Sequence, residues 1–473
     1  MSALIDHRAP RSLVATPARH LSRDESETIA RKVLGFSTAD EARVTISSGT
    51  RGNTRFAVNQ ISTAGDDYDA VVTVRSVFGR RVGSATTNKL DDASLRSVVE
   101  RAEALARLSP EDPEHMPELG PQQYGESRSW SDTTATLDPA GRATAVRAVT
   151  SPAQAAGLTS TGYLETGVSS LAVANTRGLF AYRRETESVL TTTVRTPDGT
   201  GSGWAGMAHH DWSRLDPAAL GARAIDKAKR SMNPVAIEPG RYTVILEPTA
   251  VGNLVQLISR ALSARSADEG RSFFSKPGGG TKIGMKVVDE RVTLVSDPMS
   301  EEAPGPAFGA DGLPLGRNVW IENGVVKTLS YDRYWAEKQG VKPNAAGGGG
   351  FFGGGAGGLM MTGGDSSLEE MIAGTERGLL VTRFWYIRPV DQRTILYTGL
   401  TRDGTFLVEN GRITRAVKNM RWNESPIFML NNIEAIGRPQ RVSASESGGP
   451  GQAVVMPPIK ARDFNFTSLS DAV

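Results

Sequence analysis

Histidine is the side chain best suited to metal binding or proton transfer near neutral pH, and this 473-residue sequence contains five. They are His7, His20, His115, His209 and His210. Only the last two are adjacent, and neighbours in a strand point to opposite faces, so they would not easily share one metal ion. We expect them to be solvent-exposed loop residues. The chain has no cysteine, so thiolate ligands and disulfides are also excluded.

Two glycine-rich segments, residues 278–280 and 347–358, resemble a phosphate-binding loop only in composition. That motif requires Gly-Lys-Ser/Thr running into a helix, and Lys282 is not in such a context. Residues 347–358 are either flexible or closely packed backbone, or a loop that borders a cleft and becomes ordered when a peptide or partner docks. In the second case Phe351 and Phe352 would lie in the peptide cleft.

Serine and carboxylate residues do not form a recognisable catalytic site either. The sequence has no Gly-x-Ser-x-Gly motif, and no histidine is placed to activate a serine. Neighbouring carboxylates such as Asp289-Glu290 and Glu301-Glu302 are typical of a solvated surface. Residue chemistry alone therefore predicts no self-sufficient catalytic site.

Residues 241–276 predict a buried strand and a helix that together could position a metal site. The β-branched run 242–246 is typical of a core strand, which Pro248 ends. Apolar residues then recur at spacings of three and four and form one helix face. These residues are Leu254, Leu257, Ile258, Ala261 and Leu262. A helix here could carry two histidines one turn apart, but this one has none.

Two similar segments predict tight β-hairpins in the C-terminal half. Each places Asn-Gly between apolar runs, at Asn323-Gly324 and at Asn410-Gly411. A type I′ turn needs positive φ at both central positions, which Asn and Gly tolerate. We therefore expect a two-residue turn at each site.

Composition and charge exclude several broad functions. A net charge of +2, from 54 basic and 52 acidic residues, gives no global field that favours nucleic acid. No run approaches the ~18 apolar residues of a membrane span, and the N-terminal residues lack the apolar core of a signal peptide. We therefore expect a cytoplasmic protein that binds neither nucleic acid nor a membrane.

The order of predicted elements indicates an α+β protein. We expect N-terminal mixed α/β domains with antiparallel strands, followed by a C-terminal β-rich domain with a few packed helices. The expected boundaries are a disordered lead (1–21), a first α+β domain (22–108), a linker rich in Pro, Glu and Gln (109–121), a middle α+β domain (122–233) and the C-terminal domain (240–473), whose tail after about residue 440 is poorly structured.

Short segments in the same order along the chain resemble the TldD/PmbA family. The resemblance covers residues 22–437, nearly the whole chain. It rests on Asn53–Asn59 and Val173–Gly178 in the first two domains, and on Ser263–Arg265, Asp268–Phe273, Ile321–Gly324, Gly378–Thr382, Phe406–Gly411 and Asn432–Gly437 in the third.

The resemblance implies a heterodimeric peptidase that degrades unfolded peptides or trims modified ones. In the TldD-type subunit, His-Glu-x-x-x-His on the helix after the first strand of the C-terminal domain holds zinc, and the Glu activates water. Here that position falls at about Gln256, Leu257, Arg260 and Ala261, which do not match the motif. The chain thus resembles the TldE/PmbA-type subunit, with no catalytic residue and no cofactor of its own, and zinc is expected in a TldD-like partner.

Two other functions are compatible with the same residues. The chain could be a stand-alone peptide-binding homodimer, or a hydrolase with a metal-independent site. In any of these, Arg383, Trp385 and Arg388 could contact an extended peptide by strand addition and charge pairing. Alternatively, they are outward positions of an ordinary strand.

Overall fold

The computed structural model of the chain describes residues 18–345, 358–444 and 453–470. It confirms a mixed α+β fold with several sheets and packed helices. Within these ranges, no helix is both long enough and apolar enough to cross a membrane.

Six strands of the N-terminal half form one antiparallel sheet. They are β1 (Glu41–Ala57), β2 (Gln60–Phe78), β3 (Arg81–Thr87), β4 (Thr159–Asn175), β5 (Phe180–Arg195) and β6 (Ser202–His209). Their order across the sheet is β3-β2-β1-β4-β5-β6. The central strands β1 and β4 pair from Arg43 opposite Asn175 to Phe56 opposite Gly162. Residues 22–108 and 122–233, which the sequence separates into two domains, are therefore joined by one continuous sheet.

The helices of this half pack on one face of the sheet. They are α1 (Arg23–Phe36), α2 (Asp92–Leu108), α3 (Asp132–Ala135), α4 (Pro139–Ala155) and α5 (Pro217–Arg230), with a 3₁₀ turn at Trp212–Arg214. Val44 and Ile46 pack with α1 and α2, and Leu164 and Leu190 pack with α4 and α5. Alternate residues point to the opposite face, which packs at one end against Phe308 of the C-terminal half.

The predicted linker, residues 109–121, is anchored to this sheet. The Glu118 side chain is 1% exposed and pairs with Arg43 at 3.2 Å and with Arg75 at 2.8 Å. These arginines lie on β1 and β2. The composition of the segment is that of a solvated loop, and its fixed position comes from counter-charges that lie more than forty residues away along the chain.

The described residues of the C-terminal half form two sheets. Its strands are β7 (Gly240–Leu246), β8 (Leu294–Ser296), β9 (Asn318–Glu322), β10 (Val325–Val326), β11 (Leu359–Met361), β12 (Arg377–Val381), β13 (Phe384–Asp391), β14 (Leu396–Thr401), β15 (Thr405–Glu409), β16 (Arg412–Ala416), β17 (Met420–Glu424), β18 (Ile433–Ile436), β19 (Gln440–Ser443), β20 (Ala453–Met456) and β21 (Ile459–Leu469). The larger sheet runs β13-β14-β17-β21-β7-β12-β15-β16, with β18 paired to β21, and the smaller runs β10-β9-β8-β11-β20-β19.

In the part of this half that the structure describes, five helices accompany the sheets. They are α6 (Pro248–Ala261), α7 (Ala264–Asp268), α8 (Arg333–Gln339), α9 (Leu368–Ala373) and α10 (Pro426–Asn431). α6 contacts β7 of the larger sheet and β19 and β20 of the smaller one, so it lies between them. Both predicted Asn-Gly turns are confirmed, with φ of 49° and 77° at Asn323-Gly324 and 50° and 75° at Asn410-Gly411.

The prediction of a poorly structured tail after about residue 440 is wrong for the described residues. β19 and β20 form the edge of the smaller sheet, and β21 lies in the middle of the larger one between β7 and β17. Phe464 and Phe466 of β21 are each 1% exposed. Charged residues such as Lys460 and Arg462 interrupt the apolar pattern of β21, and this hid the strand in the sequence.

Candidate functional site

Helix α6 occupies the position of the zinc motif in the family resemblance. Pro248 starts it, as suits a residue without an amide hydrogen in the first turn. The sequence predicts one apolar face, but the structure buries most of the helix, because a sheet covers it on either side. α6 is therefore a core helix of the C-terminal half.

The residues at the motif position do not fit a zinc ion. Leu257, where the motif has its glutamate, is 2% exposed and packs in the apolar core. Gln256 donates its amide Nε2–H to the carbonyl of Ala444 at 2.8 Å, and Ala261 has no side-chain ligand atom. Zinc prefers imidazole, thiolate or carboxylate ligands. In the described part of the chain, no group of three or more His, Asp or Glu side chains is arranged to hold a metal ion.

The polar side chains of α6 hold neighbouring segments together. Asn253 is 1% exposed, donates to the Ala444 carbonyl at 2.8 Å and accepts the backbone N–H of Phe384 at 3.0 Å. The Ala444 carbonyl therefore receives two amide hydrogens, from Asn253 and Gln256. These bonds connect α6 to the start of β13 and to the end of β19, which is a structural role.

A cavity of about 970 Å³ opens at the N-terminal end of α6, and we call it the α6 cleft. Its walls come from β6 and α5 of the N-terminal half and from the C-terminal segments 365–370 and 438–442. The cleft thus lies between the two halves of the molecule. Charged groups line it: Arg214, Arg223, Asp226, Lys227, Arg230, Glu247, Asp365, Glu369, Glu370, Arg438 and Arg441.

Several of these charges are already paired. Lys227 contacts Glu247 at 2.6 Å, and Arg230 contacts Asp226 at 3.2 Å. Arg441 is partly buried and donates its Nε–H to the Ala208 carbonyl at 2.8 Å. Burial lowers the pKa of Arg441 to about 10, so its guanidinium remains charged at neutral pH. The α6 cleft is therefore a polar space of mixed charge.

The adjacent histidines are not the exposed loop residues that the sequence predicts. His209 ends β6 and lines the α6 cleft, while His210 lines a second cavity. Burial and the nearby Arg441 lower the pKa of both, that of His209 to about 4, so both are neutral at pH 7. Nδ1 of His209 accepts the Asp211 N–H at 2.9 Å. The pair is half-buried because the C-terminal half packs over the end of β6.

The second cavity, which we call the sheet groove, has a volume of about 730 Å³. It lies on the face of the N-terminal sheet that carries no helix and is bordered by residues 304–306 of the C-terminal half. Its floor comes from alternate residues of β1, β2, β4 and β5. The polar, charged and glycine residues of this floor are Ser47, Gly49, Arg51, Asp67, Asp69, Glu165, Gly167, Ser169, Arg183, Glu185 and Glu187.

The residues predicted to contact a peptide have different surroundings. Arg383 is 5% exposed, lies 3.7 Å from Asp403 and stacks on Trp204 at 4.5 Å, so it connects the two halves and is not an outward position. Trp385 is half-buried, and Arg388 is exposed. The last two lie on β13, which is an edge strand of the larger sheet. Phe351 and Phe352 lie outside the described residues.

The sheet groove and the α6 cleft were missed by sequence reasoning. The groove residues alternate along their strands, as in Asp67 and Asp69 or Glu185 and Glu187, and the pattern is that of any solvated strand face. The available signal for the groove was that charged residues occupy alternate positions on these strands. Only the packing of the C-terminal half over these strands turns the face into a groove.

The fold and the helix α6 together define a class of protein, and three sequence models of one family match the chain. The PmbA/TldA metallopeptidase domain 1 matches residues 42–106, the central domain matches residues 132–232, and the C-terminal domain matches residues 239–468. The chain therefore belongs to the TldD/PmbA family.

Individual relatives agree with this family. The chain is similar to a metalloprotease of Methanothermobacter thermautotrophicus, at 24% identity over 60% of this chain and 64% of that protein. It is also similar to the zinc metalloprotease TldD homolog of Saccharolobus solfataricus, at 26% identity over 50% of this chain and 52% of that protein. Its matches thus span between half and two thirds of these relatives. The fold resembles the crystal structure of TldE from Thermococcus kodakarensis, with a TM-score of 0.82 at 20% identity, over 93% of this chain and 99% of that one.

Proposed function

We propose that this chain is the non-catalytic, TldE-like subunit of a heterodimeric peptidase. Its partner would be a TldD-like protein that carries the zinc ion, and the complex would degrade or trim unfolded or modified peptides in the cytoplasm. The observation that carries the proposal is the packing of α6. The position of the motif glutamate holds Leu257, which is buried in the core, and the position of its first histidine holds Gln256, whose amide bonds Ala444.

The chain retains surfaces that suit a peptide-handling subunit. Edge strand β13 offers backbone groups to which an extended peptide can add as a further strand. Trp385 and Arg388 lie on this strand, whereas Arg383 is withdrawn into the contact with Asp403. The α6 cleft and the sheet groove provide concave, polar surfaces on the same molecule.

Co-expression with the TldD-like protein of the same genome tests this proposal. We expect one stable heterodimer in size-exclusion chromatography, and peptide cleavage that depends on both subunits. A matched control replaces the zinc-ligand histidines of the partner by alanine, which should abolish cleavage while the complex still forms.

Other outcomes would contradict the proposal. Absence of a stable complex, together with cleavage by the partner that is unchanged without this chain, would refute it. A homodimer of this chain that binds peptides on its own would support the stand-alone binding function instead. Peptide cleavage by this chain alone that survives chelation would indicate a metal-independent hydrolase.

A further inference from the structure

The floor of the sheet groove contains two glycines, and it is open above Gly167 but not above Gly49, where the backbone of Val168 lies too close for a Cβ atom. Gly49 of β1 lies opposite Ser169 of β4, and Gly167 of β4 lies opposite Arg51 of β1. A Cβ atom placed on Gly167 would meet no other atom within 4 Å. The space above this glycine is therefore available to a ligand.

The groove is lined by more negative than positive groups. Among the described residues, the five carboxylates of Asp67, Asp69, Glu165, Glu185 and Glu187 compare with the three guanidinium groups of Arg51, Arg183 and Arg441, which leaves a net charge of about −2. Arg183 pairs with Glu185, and Arg441 has a favourable electrostatic interaction with Glu187. The remaining groups are the carboxylates of Asp67, Asp69 and Glu165 and the guanidinium of Arg51, which together carry the excess of negative charge.

Glu165 is the most unusual of these groups. The residue is 9% exposed, its carboxylate accepts the hydroxyl hydrogen of Tyr163, and it forms no ion pair within 4 Å among the described residues. Arg51 acts electrostatically on Tyr163, but one cation does not balance the three carboxylates of Glu165, Asp67 and Asp69. A further cation bound in the groove would offset the remaining negative charge. Asp67 and Asp69 lie at the exposed rim, where they can attract that cation.

We propose that the sheet groove binds a lysine or arginine side chain of the peptide. Glu165 would be its counter-ion, and the side chain would occupy the open space over Gly167. This inference rests on the proposed function, because it assigns a charge preference to the peptide that the complex handles. A cavity of about 730 Å³ accommodates such a side chain together with part of the neighbouring peptide backbone.

Fluorescence anisotropy with three labelled ten-residue peptides tests the inference. The peptides share a Gly/Ser sequence and carry two lysines, two glutamates or no charge. For the full-length chain we expect the lysine peptide to bind at least tenfold more tightly than the glutamate peptide. Glu165→Gln, which keeps the size of the side chain, should weaken the lysine peptide about tenfold and leave the neutral peptide unchanged. Gly167→Phe should weaken all binding, because its ring fills the groove.

The matched control is Glu290→Gln, which removes one negative charge from an exposed position in the C-terminal half. It should leave every affinity unchanged, and the melting temperature of each variant reports whether it is folded. Equal binding of the lysine and glutamate peptides, or a folded Glu165→Gln variant with unchanged affinity, would overturn the inference. These outcomes are independent of complex formation, so failure of the heterodimer in the co-expression experiment refutes the proposed function alone.

Discussion

Replacement of Asn253 by alanine should destabilise the C-terminal half strongly, because this side chain joins three segments from inside the core. The variant leaves the N–H of Phe384 without an acceptor in a buried site. The Ala444 carbonyl keeps the hydrogen bond from Gln256. One buried donor without a hydrogen-bond acceptor costs about 1–3 kcal/mol, and the space left by the amide adds to this cost. We therefore expect a loss of roughly 2–4 kcal/mol in the free energy of unfolding.

Gln256→Ala is the matched control, since it removes a bond to the same acceptor. Here the Ala444 carbonyl keeps the bond from Asn253, so the loss should be only about 0.5–1.5 kcal/mol. The double variant leaves both the N–H of Phe384 and the carbonyl of Ala444 without these hydrogen-bond partners. Its loss should therefore exceed the sum of the single losses by about 1 kcal/mol or more.

Urea denaturation followed by tryptophan fluorescence measures these differences. The midpoints should fall in the order wild type, Gln256→Ala, Asn253→Ala and the double variant. Equal losses for the two single variants, or strictly additive losses in the double variant, would refute the idea that the two amides share one acceptor. Either result would also contradict the view that the polar side chains of α6 serve packing.

Two further predictions concern buried charges. Glu118→Gln leaves Arg43 and Arg75 without their carboxylate and should cost roughly 3 kcal/mol of unfolding free energy. The control Glu111→Gln, at an exposed position of the same segment, should cost less than about 0.5 kcal/mol. Equal effects of the two variants in urea denaturation would contradict the anchoring of residues 109–121. Burial raises the pKa of Glu424 to about 7, so the folded state favours the protonated acid, and its stabilising contribution is present below pH 4.5 and is lost as the pH rises through 7. Relative to Glu424→Gln, the wild type should therefore lose up to about 3 kcal/mol between pH 4.5 and pH 8, and a difference in melting temperature that does not change with pH would contradict this assignment.

The elements that local patterns specify were predicted from the sequence. Asn-Gly between apolar runs gave both hairpin turns, because φ preferences act within two residues. The strand and helix of residues 241–276 were placed by the pattern of their apolar residues. The structure adds that this helix is buried, with Leu257 in the core. An apolar face in a sequence does not show whether a helix is fully buried or half-exposed.

The features that depend on distant segments were not predictable in the same way. The burial of Glu118 needs arginines on two strands, and the sheet groove needs the C-terminal half to close over Glu165 and Gly167. Arg383 was expected either to contact a peptide or to lie on an outward strand position, but Asp403 and Trp204 hold it between the two halves. Each case concerns a polar residue whose partner is remote in sequence, so no periodic pattern marks it.

The most direct test of the central claim is the zinc content of the purified heterodimer, measured by mass spectrometry of the metal together with its peptidase activity. If this chain is the non-catalytic subunit, the heterodimer should contain one zinc ion per pair, and the chain purified alone should contain none and cleave no peptide. Two zinc ions per pair, or zinc-dependent cleavage by this chain alone, would contradict the claim. Alanine at the ligand histidines of the partner should remove the zinc and the activity together.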